Sequence, residues 1–123
     1  MTLPQEFTEY TSQLFGAARW ERFVQAFMQE TPVSVRLNPW KVTENPFPNA
    51  APVPWCRQGF WLTDRPRFTA DPLFHSGVYY VQEAASLFLD YVLRQAVNAP
   101  VSVLDLCAAP GGKSTLMRAA LPE

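Results

Sequence analysis

The chain has 123 residues, 48% of them apolar and 14% aromatic, which excludes a disordered tail and leaves enough apolar side chain for an ordinary core. Lys and Arg number 10 against 11 Asp and Glu, giving a formal net charge of −1 with no basic block, so charge alone advertises no nucleic-acid partner. No basic segment followed by an apolar core opens the chain and no later apolar run approaches membrane-spanning length, so a cytoplasmic protein without a membrane partner is expected.

In chain order, Phe7, Tyr10 and Leu14 recur at helical spacing within residues 4–15, and Gly16 supplies a stop. Trp20, Phe23, Val24, Phe27 and Met28 give the i, i+3, i+4, i+7, i+8 stripe of a second, core-packed helix that ends before Thr31-Pro32. In "VSVRLNP", Val33, Val35 and Leu37 alternate with Ser34, Arg36 and Asn38, the pattern of a half-buried strand closed by Asn38-Pro39. Dense prolines over residues 39–72 predict loops and short strands, with a strand pair around Gln58-Gly59. Ser76-Gly77 marks a turn, residues 78–81 a short strand, and residues 82–96 a helix with Ala84, Phe88, Tyr91, Val92 and Gln95 on one side and Leu87 beside them. After the break at residues 98–100, "VSVLDL" (residues 101–106) is a continuous apolar, β-branched run, which predicts a parallel strand covered on both faces. A glycine turn follows, then a helix over residues 113–121.

A strand, a tight glycine turn and a helix together present backbone N–H groups to an anion. The phosphate-loop pattern G-x-x-x-x-G-K-[ST] matches Gly112, Lys113 and Ser114, but its first glycine falls on Cys107, which counts against ATP or GTP. The dinucleotide pattern G-x-G-x-x-G fails as well, because only the adjacent pair Gly111-Gly112 is present. One proline, two glycines and a lysine suit a smaller anionic group, such as the carboxylate of an amino-acid-derived cofactor, and S-adenosylmethionine fits. The plainer alternative is a simple turn with a solvated lysine, although a lysine in a first helical turn opposes the helix dipole.

Cys56 and Cys107 have no metal-ligand or paired spacing and are expected as reduced thiols, Cys56 in a structural role; no metal site is expected. His75 has no ligand neighbours, which favours a turn or core role. Arg36, Lys41, Arg57, Arg65 and Arg67 among Trp40, Trp55, Phe60, Trp61 and Phe68 combine cations with stacking surfaces, as readers of single-stranded RNA do. Core packing is the competing explanation for the aromatics. Of these residues, Arg36 and Lys41 are the RNA-contact candidates.

"DLCAAPGGKST" resembles the first cofactor motif of the Sun family of RNA cytosine-C5 methyltransferases. "VRLNPWK" is similar to the family's R-x-N segment, and "GVYYVQEAAS" to its Y-x-Q-[DE]-x-[AS]-S segment; the three stand in the family's order, and the resemblance covers residues 20–123. It implies an α/β chain: an RNA-contacting α+β module over residues 1–81, then over residues 82–123 the first helix, strand and helix of an incomplete Rossmann-like methyltransferase domain. It further implies that Cys107, Ala108, Ala109, Pro110, Gly111, Gly112 and Lys113 surround the methionine part of S-adenosylmethionine, with Lys113 near the carboxylate, and that the partner is RNA, with the R-L-N-P variant pointing to the ribosomal branch. Asp105 either orients that loop or caps the turn or helix beside it. The family's two catalytic cysteines belong to Pro-Cys and Thr-Cys motifs that this chain lacks. No catalytic residue is therefore assigned, and the chain is expected to be the inactive N-terminal portion of a longer enzyme, the alternatives being a non-catalytic RNA-binding or assembly module and a nucleotide-binding switch. A parallel strand lacking its later neighbours leaves an open edge, so self-association or a mobile C-terminal region is also expected.

Overall fold

In the computed structural model, which describes residues 3–122, packing separates a unit that ends at Thr31 from one that begins at Pro32. The first unit is a pair of helices. α1 (Gln5–Phe15) starts behind Pro4 and stops where Gly16 takes φ +71°, a left-handed conformation that costs glycine nothing sterically. α2 (Ala17–Ala26) follows, and Phe23 gathers the rings of Phe7, Phe15, Trp20 and Phe27 at centroid distances of 5.1–6.3 Å. The aromatic stripe is thus a packing surface, but its last members lie beyond the helix: Phe27 and Met28 sit in turns closed onto the carbonyls of Val24 and Gln25.

The second unit is built on a small antiparallel sheet of β1 (Val33–Leu37), β2 (Ala51–Pro52), β3 (Gly59–Leu62) and β4 (Tyr79–Val81), in the order β2-β3-β1-β4. Prolines confine β2 to the edge, where a missing N–H leaves no gap in the ladder. A 3₁₀ turn (Phe68–Ala70) and α3 (Pro72–His75) connect β3 to β4. Asp71 organises this connection, accepting from Leu73 N–H at 2.9 Å and from the Tyr79 hydroxyl at 2.6 Å. Burial, reinforced by Asp71, pushes the Tyr79 phenol far above its usual range and keeps it protonated. His75 meets the Thr69 carbonyl at 2.8 Å, a turn role.

Both faces of the sheet are covered. Val35, Leu37 and Tyr79 pack with Phe47, Phe60, Leu62, Phe68 and Phe74 on one face. On the other, Trp61 packs against a core of Val53, Cys56, Ala84, Leu87, Leu116 and Ala120. Leu87 and Ala84 precede α4 (Phe88–Ala96), while Leu116 and Ala120 belong to α5 (Gly112–Ala120). Arg94 joins the two helices by pairing with Asp90 at 3.0 Å and donating to the Ala119 carbonyl at 3.1 Å. The alternation in β1 therefore does not mark a solvent face: Ser34 and Arg36 are buried along with Val35 and Leu37.

Two expectations are corrected. The helix expected from Gln82 begins at Phe88, because Gln82 continues the extended chain of β4: its N–H donates to the Ser34 carbonyl, and its own carbonyl accepts from the Ser34 hydroxyl at 2.6 Å. Residues 101–106 form no strand, and Leu104 and Leu106 are 81% and 85% exposed. A parallel strand needs parallel neighbours to bond its backbone, and among the described residues every strand pairing is antiparallel. The architecture is mixed α/β, with α4, an irregular segment and α5 where a helix, strand and helix are expected.

Gly59 is where the sheet and its helical cover come closest. A Cβ there would lie 2.8 Å from Leu87 Cδ1, 3.0 Å from Val53 Cβ and 3.1 Å from Cys56 Cβ, and the last two cannot swing away. Gly59→Ala is expected to destabilise the protein by about 1–3 kcal/mol, read as a lower urea midpoint; an unchanged midpoint would contradict this packing.

Candidate functional site

Three segments distant in sequence meet beneath the glycine turn. β1 contributes Arg36, β4 and its continuation contribute Tyr80 and Gln82, and the turn leads into α5 with Gly112 and Thr115. The register explains the room: Arg36 lies opposite Gly59 on one side, which has no side chain, and opposite Tyr80 on the other. Arg36 is 4% exposed, and its guanidinium lies 5.9 Å from the Tyr80 ring centroid. Nε donates to Gln82 Oε1 at 3.0 Å and one terminal nitrogen to Thr115 Oγ1 at 2.6 Å, with longer contacts of 3.4 Å to the carbonyls of Gly112 and Thr115. The Thr115 hydroxyl in turn donates a hydrogen bond to the Gly111 carbonyl at 2.7 Å, so the chain of donors and acceptors is consistent from β1 to the turn. Burial lowers the proton affinity of Arg36, countered by the fields of Cys56, Asp90 and Tyr80.

The turn itself is shaped by glycine and by Asp105. Gly111 takes φ +101°, and α5 starts there without a side-chain cap; a Cβ on Gly112 would press on the Tyr80 ring at 3.3 Å. Asp105 accepts from Cys107 N–H at 2.9 Å and from Ser114 Oγ at 2.6 Å, so it braces the loop against the first turn of α5. Those two bonds, Ser114 first, and the nearby Lys113 charge hold the Asp105 carboxyl below its usual 3.8. Tyr80 closes the far side, its hydroxyl donating to the Pro110 carbonyl at 3.3 Å.

Between the loop and the sheet lies a pocket of about 270 Å³ lined by Tyr80, Gln82, Glu83, Ser86, Cys107 and Lys113 together with the rest of the loop. Cys107, Ala108, Ala109, Pro110, Gly112 and Lys113 all border it; Gly111 sets the turn. Both cysteines are free, Cys107 exposed and Cys56 buried in the core, where burial pushes its thiol above the usual range, as befits a structural thiol. Among the described residues no group of His, Cys, Asp and Glu could hold a metal, and no helix is long and apolar enough to cross a membrane.

The two RNA-contact candidates part company. Arg36 lies inside, engaged with Gln82 and the turn, whereas Lys41 is exposed and donates to the Ser76 carbonyl at 2.7 Å. Trp55 and Trp61 pack edge to face at 5.5 Å against the core, Phe60 and Phe68 belong to the other core, and Trp40 is exposed. Gln82, Ser114 and Thr115 are partners that sequence reasoning misses. Gln82 stands in a recognisable motif, but nothing in the sequence says which charge it meets.

The depressed Asp105 value sets a sign and a test. Its contribution to stability is present at neutral pH and is lost as the pH falls through the depressed folded-state value. Ser114→Ala is expected to move the Asp105 pKa back toward the ordinary carboxylate value in a carboxyl-carbon NMR titration; no movement would contradict the brace.

The geometry has counterparts among known proteins. The family model for the N-terminal domain of 16S rRNA methyltransferase RsmF matches residues 3–84. The chain is 32% identical to the ribosomal RNA small subunit methyltransferase F of Pectobacterium atrosepticum and 32% identical to that of Serratia proteamaculans, over 98% and 95% of this chain but 28% and 27% of those proteins. It thus spans a little over a quarter of the length of these relatives. A solved structure of a methyltransferase homologue from Pyrococcus horikoshii aligns with a TM-score of 0.66 at 26% identity, covering 94% of this chain and 44% of that one. Matched by the family model over more than half its length, and carrying the three segments that meet at Arg36, this chain belongs to the RsmF N-terminal-domain family of the Sun-type methyltransferases.

Proposed function

We propose that the chain is the front portion of an S-adenosylmethionine-dependent methyltransferase that modifies C5 of cytosine in small-subunit ribosomal RNA, and that residues 82–123 begin its Rossmann-like cofactor domain. The observation that carries this reading is the glycine turn held against the sheet by Arg36, with a pocket between them. The donor set fits an amino-acid carboxylate: an uncapped helix start, two glycines that keep the backbone bare, and Lys113 beside it. At about 270 Å³ the pocket is slightly under the roughly 300 Å³ at which small-molecule sites begin, so these residues supply part of a cradle and not all of it.

When bound, the cofactor supplies an electrophilic methyl group. The residues of this chain orient it. Cys107 to Lys113 hold the methionine end, Asp105 keeps the loop closed on α5, and Tyr80 and Gln82 form the wall facing it. Cytosine C5 becomes reactive toward a methyl donor only after a thiolate adds at C6. Cys56 is buried and its thiol pKa is raised, and Cys107 is part of the cofactor loop, so neither is assigned that task.

Cofactor binding without turnover is therefore expected of this chain. Titrating millimolar S-adenosylmethionine into the ¹⁵N-labelled protein should shift amide signals of residues 107–114, ATP should not, and isotopically labelled methyl should not reach small-subunit ribosomal RNA. Shifts produced by ATP alone would sink the cofactor assignment, and methyl transfer would overturn the absence of a nucleophile.

A further inference from the structure

A second pocket has a volume of about 250 Å³. Tyr80 borders both pockets. Trp40 forms part of its wall and is 55% exposed, the one tryptophan of the four that is exposed and not packed into a core. Trp40 stands on a hydrogen-bonded turn. Asn38 accepts from Trp40 N–H at 3.1 Å, donates to the Gly77 carbonyl at 3.0 Å, and through its own carbonyl receives the N–H groups of Lys41 and Val42. The Lys41 ammonium donates to the Ser76 carbonyl at 2.7 Å, which anchors it with two of its three protons unspent on that bond. The Arg118 guanidinium lies 5.1 Å from the Trp40 ring centroid.

Arg36, Lys41 and Arg118 line this pocket, and among the described residues no acidic side chain does. An exposed indole on a hydrogen-bonded turn with a surface ammonium beside it is an arrangement that holds a flat, uncharged ring attached to a phosphate. The volume admits one such ring and not a dinucleotide.

We propose that this pocket binds one unpaired base of a single-stranded RNA, stacked on Trp40, with a flanking phosphate on Lys41. The inference rests on the proposed RNA substrate and extends it, placing a flanking nucleotide and the methyl-transfer site in two pockets that share Tyr80. Base stacking is sequence-tolerant, so this subsite grips the strand without selecting the target nucleotide.

The test is fluorescence anisotropy of the 123-residue chain with a fluorescein-labelled, pyrimidine-rich nonaribonucleotide. Trp40→Ala should weaken binding at least about 5-fold, the low end for loss of one stacked base, while Trp40→Phe retains most of the affinity. Lys41→Ala should reduce the slope of log affinity against log salt by about 0.7, as loss of one phosphate contact on a single strand does. Equal affinity of wild type and Trp40→Ala would overturn the pocket while leaving the RNA reading intact. No binding by the wild type would overturn the RNA reading, and the pocket with it. Should Trp40→Ala melt at a lower temperature, crosslinking of 4-thiouridine RNA to the unaltered protein decides: adducts on a peptide containing residues 39–41 support the proposal, and adducts only elsewhere overturn it.

Discussion

Arg36 puts a full charge in an interior strand of a small sheet, and the neighbouring elements are arranged around it. A buried ion whose partner is removed costs on the order of 3–5 kcal/mol, so the guanidinium has to be met wherever it points. Gly59 leaves space on one flank, Tyr80 offers a ring on the other, Gln82 takes Nε, and the α5 hydroxyl of Thr115 takes the far nitrogen. Asp90 adds its field from α4 without touching the guanidinium. The result is that a glycine turn 76 to 79 residues away along the chain is tied to β1. The clamp works from sheet to loop: a strand fixes the charge, and the charge fixes the turn.

The same arrangement explains what is legible in the sequence and what is not. Both N-terminal helices are legible, because Phe7 to Leu14 and Trp20 to Val24 keep a 3.6-residue period and Gly16 separates them. The three family-like segments are also legible as motifs, one by one. Their meeting is not, since a motif states residue types and spacing but not which side chain satisfies which. Strand alternation reads polar positions as solvent-facing and so makes Arg36 a surface cation; here the polar face of β1 is covered by the turn and its helix. Residues 101–106 fail for the opposite reason. Their composition is that of a strand, but a strand is formed by its neighbours, and this sheet offers them no parallel edge.

Tyr80 sits at the junction of these facts. It borders both the pocket beside the loop proposed to hold the cofactor and the pocket of Trp40. Its hydroxyl reaches the Pro110 carbonyl, its ring lies beside Arg36, and its backbone belongs to β4.

Hydrogen exchange tests the clamp most directly. In Arg36→Met the apolar stem keeps its packing and the guanidinium is lost, while Thr115→Val removes the acceptor with little change in volume. Both variants should speed amide exchange across residues 111–120 and around Gln82, with the β1–β3 ladder at Val33 and Leu62 still protected. Unchanged exchange across residues 111–120 in both variants would show that something other than Arg36 holds the turn, and that the buried charge is not what ties the loop to the sheet.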